Sequence, residues 1–568
     1  MLRSMAVATF ASLLLAACGG GGEAPPPPGG GTPTTVTISG QITFDRIPFD
    51  ATVGNGLNPA GTTQAPARQV TVQAIAGTQL IASTTTDTSG NYSLSVPVNT
   101  NLFIRARAEM VKTDAAPTWN FSVRNNTTAG NNDALYALDG TTASSGTANS
   151  TRNLNAPSGF GTTSYTGERA AAPFAILDTV YQAKQLILSA VPTTAFPELR
   201  LFWSKDNRPT AGRFCPDDGD IGTSSYIVFP QGDVDDCNQS NADGIYILGD
   251  FSVGDTDEFD QSVIAHEFGH YIEDRFSRSD SIGGEHGGSD TPLDLRVAFG
   301  EGWGNAFSAM TLGNPIYRDS SQGTSFDFQI DMETDDPQNE GWFSEASVEE
   351  ILWDLFDSAN EPGDGVALGF APIYSVMTGA QVTTDALTSI YSFITGLRAT
   401  AGAPLAAIDN LLDGEKIFGT DAFGAAETND GGDADILPVY KTLVLNTPIS
   451  VCSRSPFGNT DTNKLGNRVF LRFDNNAARL VTIRADGAAN GGGTTFATDP
   501  DIFVLRKGAL VTFSNEEPSQ PPPHTLPGHE TISQFQLAAG TYIIEVYDFD
   551  LDQVAGATPR CMTVSIQG

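Results

Sequence analysis

The sequence predicts a multidomain fold: a β-sandwich near the N-terminus, a central α+β part that is mostly helical, and a second β-sandwich at the C-terminus. Three observations carry this expectation. At 568 residues the chain is too long for one ordinary domain, and about three or four are expected. Apolar residues alternate with period two towards both ends, but recur at helical spacing in between. Gly- and Pro-rich stretches punctuate the chain where neither pattern holds.

Residues 1–17 are expected to be a signal rather than fold. Met1-Leu2-Arg3 carries one positive charge, and the apolar run Ala6 to Ala17 is too short to span a bilayer. The run ends in Leu15-Ala16-Ala17-Cys18, which resembles a bacterial lipobox. The resemblance implies a lipidated Cys18 anchored to the membrane of a bacterial cell envelope. Gly19 after it favours the outer membrane; an ordinary secretory signal and an extracellular protein is the alternative. Residues 18–35 hold GGGG, PPPP and GGG and read as a tether.

Residues 36–110 read as strands, with alternation at Val36–Ile42 and Val70–Ile75. Asp87-Thr88-Ser89-Gly90-Asn91-Tyr92-Ser93-Leu94 adds a turn followed by a strand. This order resembles the carboxypeptidase regulatory-like domain, a small β-sandwich that implies no chemistry of its own. Residues 111–168, with the low-complexity Thr141–Ser150, are expected to connect it to the next unit.

Residues 169–450 carry helical patterns at Ala170–Val191, Asp260–Phe276, Leu295–Leu312, Glu345–Ser358, Thr384–Leu397 and Leu405–Leu412. Strands are expected at Tyr226–Phe229 and Ile245–Leu248. The helix from Glu345 reads as packing plus a charged face, with no catalytic part. Residues 451–568 return to alternation. Asp499-Pro500-Asp501-Ile502-Phe503-Val504 and Leu537-Ala538-Ala539-Gly540-Thr541-Tyr542 resemble motifs of the bacterial pre-peptidase C-terminal domain, a β-sandwich found at the ends of secreted proteases.

Lys and Arg number 30 against 67 Asp and Glu, a net charge of -37, so nucleic acid is excluded as a partner: little here could neutralise phosphates. The acidity fits an exported, soluble surface or bound Ca2+, for which Cys215–Asp220 and Asp233–Asp243 are the candidate loops. Beyond Cys18, four cysteines allow three pairings in an exported chain. Cys215–Cys237, closing an acidic loop, and Cys452–Cys561, tying the ends of the C-terminal unit, are expected. A monomer is expected.

The chemistry concentrates in Ile264-Ala265-His266-Glu267-Phe268-Gly269-His270-Tyr271. On a helix His266 and His270 share a face and can present two ring nitrogens to one metal. Glu267 is turned about 100° from His266, beside the place of a metal-bound water. With only five His in the chain, an accidental H-E-x-x-H is rare. The bland alternative is a buried helix with two imidazoles, but Ile264, Phe268, Ile272 and Phe276 already supply an apolar row. A catalytic zinc needs a third protein ligand. Glu285, His286, Asp290, Asp294 and Glu301 are the candidates. The three glycines around Glu301, in Gly300-Glu301-Gly302-Trp303-Gly304, suggest close approach to another helix.

His266-Glu267-x-x-His270 with a later Gly300-Glu301-Gly302-Trp303 resembles the gluzincin metallopeptidases, and within them the fungalysin type. The resemblance implies a zincin fold, Zn2+ held by His266, His270 and Glu301, Glu267 as general base, polypeptide substrates, and an edge strand at Ile245–Leu248 that pairs with substrate. Two departures stand out. The family has Asp where this chain has Asn305, the residue that orients a ligand histidine. The family also uses a late histidine for the oxyanion, and none lies between Glu301 and His524. His286, Tyr317 and Tyr374 are the remaining candidates for that role; His524 and His529 read as surface residues. The expectation is an exported zinc metalloendopeptidase. A zinc hydrolase of another envelope polymer and a surface-binding protein with a degenerate peptidase core are the alternatives.

Overall fold

The computed structural model describes residues 34–568 except 128–132, 230–235, 238–241, 287–290, 322, 324, 334–338, 359–364, 401, 489–496, 516–525 and 554–557, and the side chains of 552 and 553. The signal, Cys18 and most of the tether therefore lie outside the described residues, as do Asp290 and His524.

Strand outweighs helix across the chain, 35% to 23%, and the strands sit mostly towards its two ends. At the N-terminal end, Thr35–Arg46 pairs antiparallel with Asn91–Pro97 and with Thr63–Pro66. A second sheet has Asn101–Arg107 between Thr71–Ala76 and Ala137–Asp139. Alternation does the work expected of it: Tyr92, Leu94 and Val96 point into the core while their neighbours face water.

Residues 111–168, expected only to connect, are built into sheets. Ser150–Thr151 and Leu154–Ala156 run parallel to Thr35–Arg46, completing the first sheet. Trp119–Asn125 joins the central sheet by parallel pairing with Leu199–Trp203, in the register Phe121↔Leu199. A parallel partner far along the chain leaves no hairpin signal in the local sequence.

The central sheet runs Ser225–Ile227, Gly244–Ile247, Leu199–Trp203, Trp119–Asn125, Glu109–Lys112. Gly244–Ile247 is thus an interior strand, fully buried, as its unbroken apolar run requires. The sheet edge that had been expected at Ile245–Leu248 is Ser225–Ile227 instead. Eight helices are described: α1 Ala172–Ala190, α2 Gln261–Phe276, α3 Leu295–Leu312, α4 Glu345–Phe356, α5 Phe370–Met377, α6 Ala380–Thr383, α7 Ile390–Arg398 and α8 Leu405–Gly414. The helix expected over Thr384–Leu397 begins only at Ile390, where Ser389 and Ser392 form a capping box. No described helix is long and apolar enough to cross a membrane.

α2, α3 and α4 pack in sequence, and two glycines permit it. A Cβ on Gly304 would stand 2.7 Å from the His266 ring, and one on Gly302 would stand 2.6 Å from the Val348 side chain. Gly300 has room: its Cβ would meet nothing closer than 3.5 Å. Trp303, wholly buried, donates its indole N–H to the Gly269 carbonyl at 2.9 Å and so ties α3 to α2.

The C-terminal unit is two antiparallel-rich sheets around a separate apolar core that includes Leu471, Ile502, Val504, Ile544 and Val564. Cys452 and Cys561 are directly opposed on neighbouring strands and disulfide-bonded; Cys215 and Cys237 form the other disulfide. Arg296 on α3 is buried and pairs with Glu545 of this unit at 2.8 Å.

Candidate metal centre

α2 and α3 bring three side chains to one point. His266 Nε2 and His270 Nε2 are 2.9 Å apart, and Glu301 Oε2 lies 3.2 Å from each. Two ligands held about 2.1 Å from a tetrahedral zinc stand about 3.4 Å apart, so these three donors fit one ion with shifts of a few tenths of an ångström. Two neutral imidazoles and one carboxylate are also a donor set zinc favours.

The electrostatics describe the same point. Burial opposes the imidazolium of His270, but Glu301 beside it raises the group well above the ordinary histidine value. Burial likewise opposes the Glu301 carboxylate, yet His270 and His286 hold it well below the usual range. Cation and carboxylate have been drawn together at the point where the three donors converge.

The two histidines have polar groups behind them. His266 Nδ1 donates to Asn305 Oδ1 at 2.7 Å. The Asn305 amide N–H₂ is spent on Glu345 Oε1 at 2.8 Å and Glu349 Oε2 at 2.6 Å. Those two acceptors fix which way the amide faces: its oxygen must meet the histidine, so the proton sits on Nδ1 and the Nε2 lone pair faces the site. α4 therefore supports the centre, contrary to the expectation that it serves only packing. The sequence did not disclose it because Glu345 and Glu349 lie 40 and 44 residues from Asn305. His270 Nδ1 lies 3.8 Å from the buried Glu273.

Glu267 faces the same cleft, 7% exposed, and accepts from the backbone N–H of Tyr226 at 2.6 Å. Burial pushes its carboxyl up, against the pull of His266 and His270. The cleft has a volume of 790 Å³ and is open to solvent along the Ser225–Ile227 edge. Tyr226, which the sequence did not single out, is the residue that joins this edge to Glu267.

Of the other candidates, His286 reaches the site: its Nε2 is 3.4 Å from Glu301 Oε2 and its Nδ1 is 3.3 Å from Glu345 Oε2. Tyr317 lines the cleft, its ring 6.1 Å from that of His266. Tyr374 does not line it; the residue is buried on α5, stacked on Phe370, and has no access to an oxyanion. Asp294 is not a ligand either. It caps α3, accepting from Arg296 N at 3.0 Å, and pairs with the Arg296 guanidinium. Glu285 lies on the cleft wall, with its backbone N–H bonded to Asp461. His529 opens an exposed strand end of the C-terminal unit.

The calcium loops fit poorly. Cys215, Asp218 and Cys237 cluster, but both sulfurs are in the disulfide. Asp218 and Asp220 pair with Arg213, and Asp220 also with Arg208. Asp236 accepts from Phe214 N, and Asp243 pairs with Arg275. Carboxylates already neutralised by guanidinium groups have little left for a cation. Asp233 lies outside the described residues.

Residues 237–402, which hold His266, Glu267, His270 and Glu301, match the family model described as the Mycolysin C-terminal domain. No curated protein gives a significant match. Among solved structures, the chain is similar to the pre-peptidase C-terminal domain of a collagenase from Bacillus anthracis, with 12% identity over 22% of this chain and 93% of that one, at a TM-score of 0.16. It is also similar to PliG from Aeromonas hydrophila, a periplasmic inhibitor of g-type lysozyme, with 17% identity over 22% and 97% and a TM-score of 0.12.

Proposed function

We propose that the chain is a zinc-dependent endopeptidase of zincin type that hydrolyses peptide bonds. The observation that carries this reading is the convergence of two imidazole nitrogens and one carboxylate oxygen within 3.2 Å, with Glu267 facing the same cleft. His266, His270 and Glu301 would hold the ion. Zinc bound there supplies Lewis-acid polarisation of a carbonyl and lowers the pKa of water towards about 7.

The chain's own residues do the rest. Glu267 Oε takes the proton of the attacking water and passes it to the leaving amine. A carboxyl pushed up by burial is better matched to this exchange than an ordinary one. The Ser225–Ile227 edge, apart from the Tyr226 N–H that Glu267 holds, offers backbone groups against which an extended polypeptide can lie. His286 and Tyr317 are the two groups near enough to donate to an oxyanion.

Export is part of the reading. Leu15-Ala16-Ala17-Cys18 supports a lipid anchor in a bacterial envelope, and two disulfides fit an oxidising compartment.

Purified protein is expected to hold about one zinc per chain and to digest casein. Glu267→Ala should abolish cleavage and keep the metal. Wild type that binds zinc but leaves a broad peptide library uncut would favour a binding protein with a peptidase-like core. Wild type without zinc would remove the assignment altogether.

A further inference from the structure

A second cluster in the cleft has no part in the zinc chemistry. Asp255 and Asp257 lie on the segment before α2, Asp260 directly precedes α2, and Asp319 is on the strand Ile316–Ser321. One oxygen from each of Asp255, Asp257 and Asp319 lies within 4.8 Å of the others. Asp257 is 2% exposed and Asp260 is wholly buried.

Asp257 and Asp260 each have one oxygen bonded and one not. Asp257 Oδ2 accepts from the Ser224 hydroxyl, and Asp260 Oδ2 accepts from Ser320 N at 2.6 Å and Ser320 Oγ at 2.7 Å. The Oδ1 atoms of Asp255, Asp257, Asp260 and Asp319 are all buried without a partner. Nearby guanidinium groups are spent elsewhere: Arg318, next to Asp319, pairs with Asp327, and Arg169 pairs with Glu258. Asp255 and Asp319 are half-buried on the cleft wall, and four carboxylate oxygens without a protein partner are expensive unless water, a proton or a cation joins them. Burial, and then the charge of Asp319, push Asp257 and Asp260 well above the carboxylate range.

We propose that Asp255, Asp257 and Asp319, with Asp260 adding charge beside them, form a second metal site that takes Ca2+. The donor set selects the ion: every donor is a carboxylate oxygen, with no nitrogen or sulfur, which suits a hard cation and not zinc. Ca2+ accepts six to eight oxygens in irregular geometry, whereas Mg2+ demands a near-ideal octahedron, so carboxylates fixed on a loop and a separate strand favour the larger ion. The three carboxylates line the same cleft as His266 and Glu267, so water can fill the remaining positions. The ion joins two elements that meet the zinc centre. It pins the start of α2, which carries His266, to the strand that carries Tyr317.

The inference does not rest on peptidase activity. Full-length protein is stripped with EGTA, and 45Ca equilibrium dialysis and thermal unfolding are followed as CaCl2 is added. One site per chain is expected, filled at submillimolar Ca2+, with a rise in Tm that an equal concentration of MgCl2 does not reproduce. Asp257→Asn should weaken Ca2+ binding by about tenfold or more. In EGTA the same variant should melt no lower than wild type, because it removes a repelling charge. Wild type that takes up no Ca2+ and shows no change in Tm would overturn the site. So would an Asp257→Asn variant that binds Ca2+ as tightly as wild type. Mg2+ binding in place of Ca2+ would overturn the choice of ion.

Discussion

Asn305 is the residue on which the site's strength turns. An Asp there would place a full charge behind His266; an Asn does so only through its amide, polarised by Glu345 and Glu349. The charge is thus moved one hydrogen bond further away. Glu349 already feels the crowding: burial, and then Glu345, push its carboxyl well up. A third carboxylate at 305 would face both, and one of the three would have to keep a proton. Asn305→Asp alone is therefore expected to gain no zinc affinity, while Asn305→Asp with Glu349→Gln should match or exceed wild type. Glu345→Ala with Glu349→Ala removes both acceptors, frees the amide to turn and should weaken zinc binding by about tenfold. Competition with a chromophoric chelator at neutral pH reads all three. His266, His270 and Glu301 were legible in the sequence because two lie on one helix and the third sits in a glycine-rich match. Glu345, Glu349 and Tyr226 were not legible: only the packing of α4 and the sheet edge brings them in.

At the level of elements, the glycines of α3 separate into different kinds. Gly304 sits under the His266 ring, whereas Gly300 has open space. Gly304→Ala should displace the ring and cost about 1–3 kcal/mol of stability along with most of the zinc affinity. Gly300→Ala should be neutral or stabilising by up to about 1 kcal/mol, because only helix propensity changes. Thermal unfolding with a zinc assay on the same samples distinguishes them. The sequence showed that close approach was needed, but not which glycine met it. α2, α3 and α4 were readable from apolar spacing within each. Trp119–Asn125 was not, since its partner Leu199–Trp203 is remote in sequence, and α5 was not read as a helix. The sheet edge was misplaced by one strand, since an unbroken apolar run marks an interior strand and not a rim.

Over the whole molecule, burial joins what the sequence had separated. One apolar core runs from Val36 through α1, α2 and α3 to Ile417 and on to Leu465, Phe470 and Ile543, so the N-terminal strands, the helices and one face of the C-terminal unit share an interior. Asp178 on α1, 6% exposed, receives both Arg46 and Arg68 from those strands. The C-terminal unit has a core of its own but is fastened by Arg296, buried between Asp294 and Glu545. Arg296→Met would leave Asp294 uncompensated and Glu545 with Arg468 alone, and should cost about 3 kcal/mol. Calorimetry should then show the C-terminal unit melting apart from the rest.

That fastening continues to the cleft wall. Asn463 donates to the Gly283 carbonyl at 2.8 Å, Lys464 to that of Glu285 at 2.7 Å, and Asp461 accepts from Glu285 N at 2.6 Å. His286 is the next residue along. The tail therefore works as a buttress behind one side of the candidate cleft. Anyone trimming the protein to a minimal catalytic fragment at residue 450 would also be remodelling the pocket, and a replacement tail would have to bring its own Asp, Asn and Lys to the same three backbone groups.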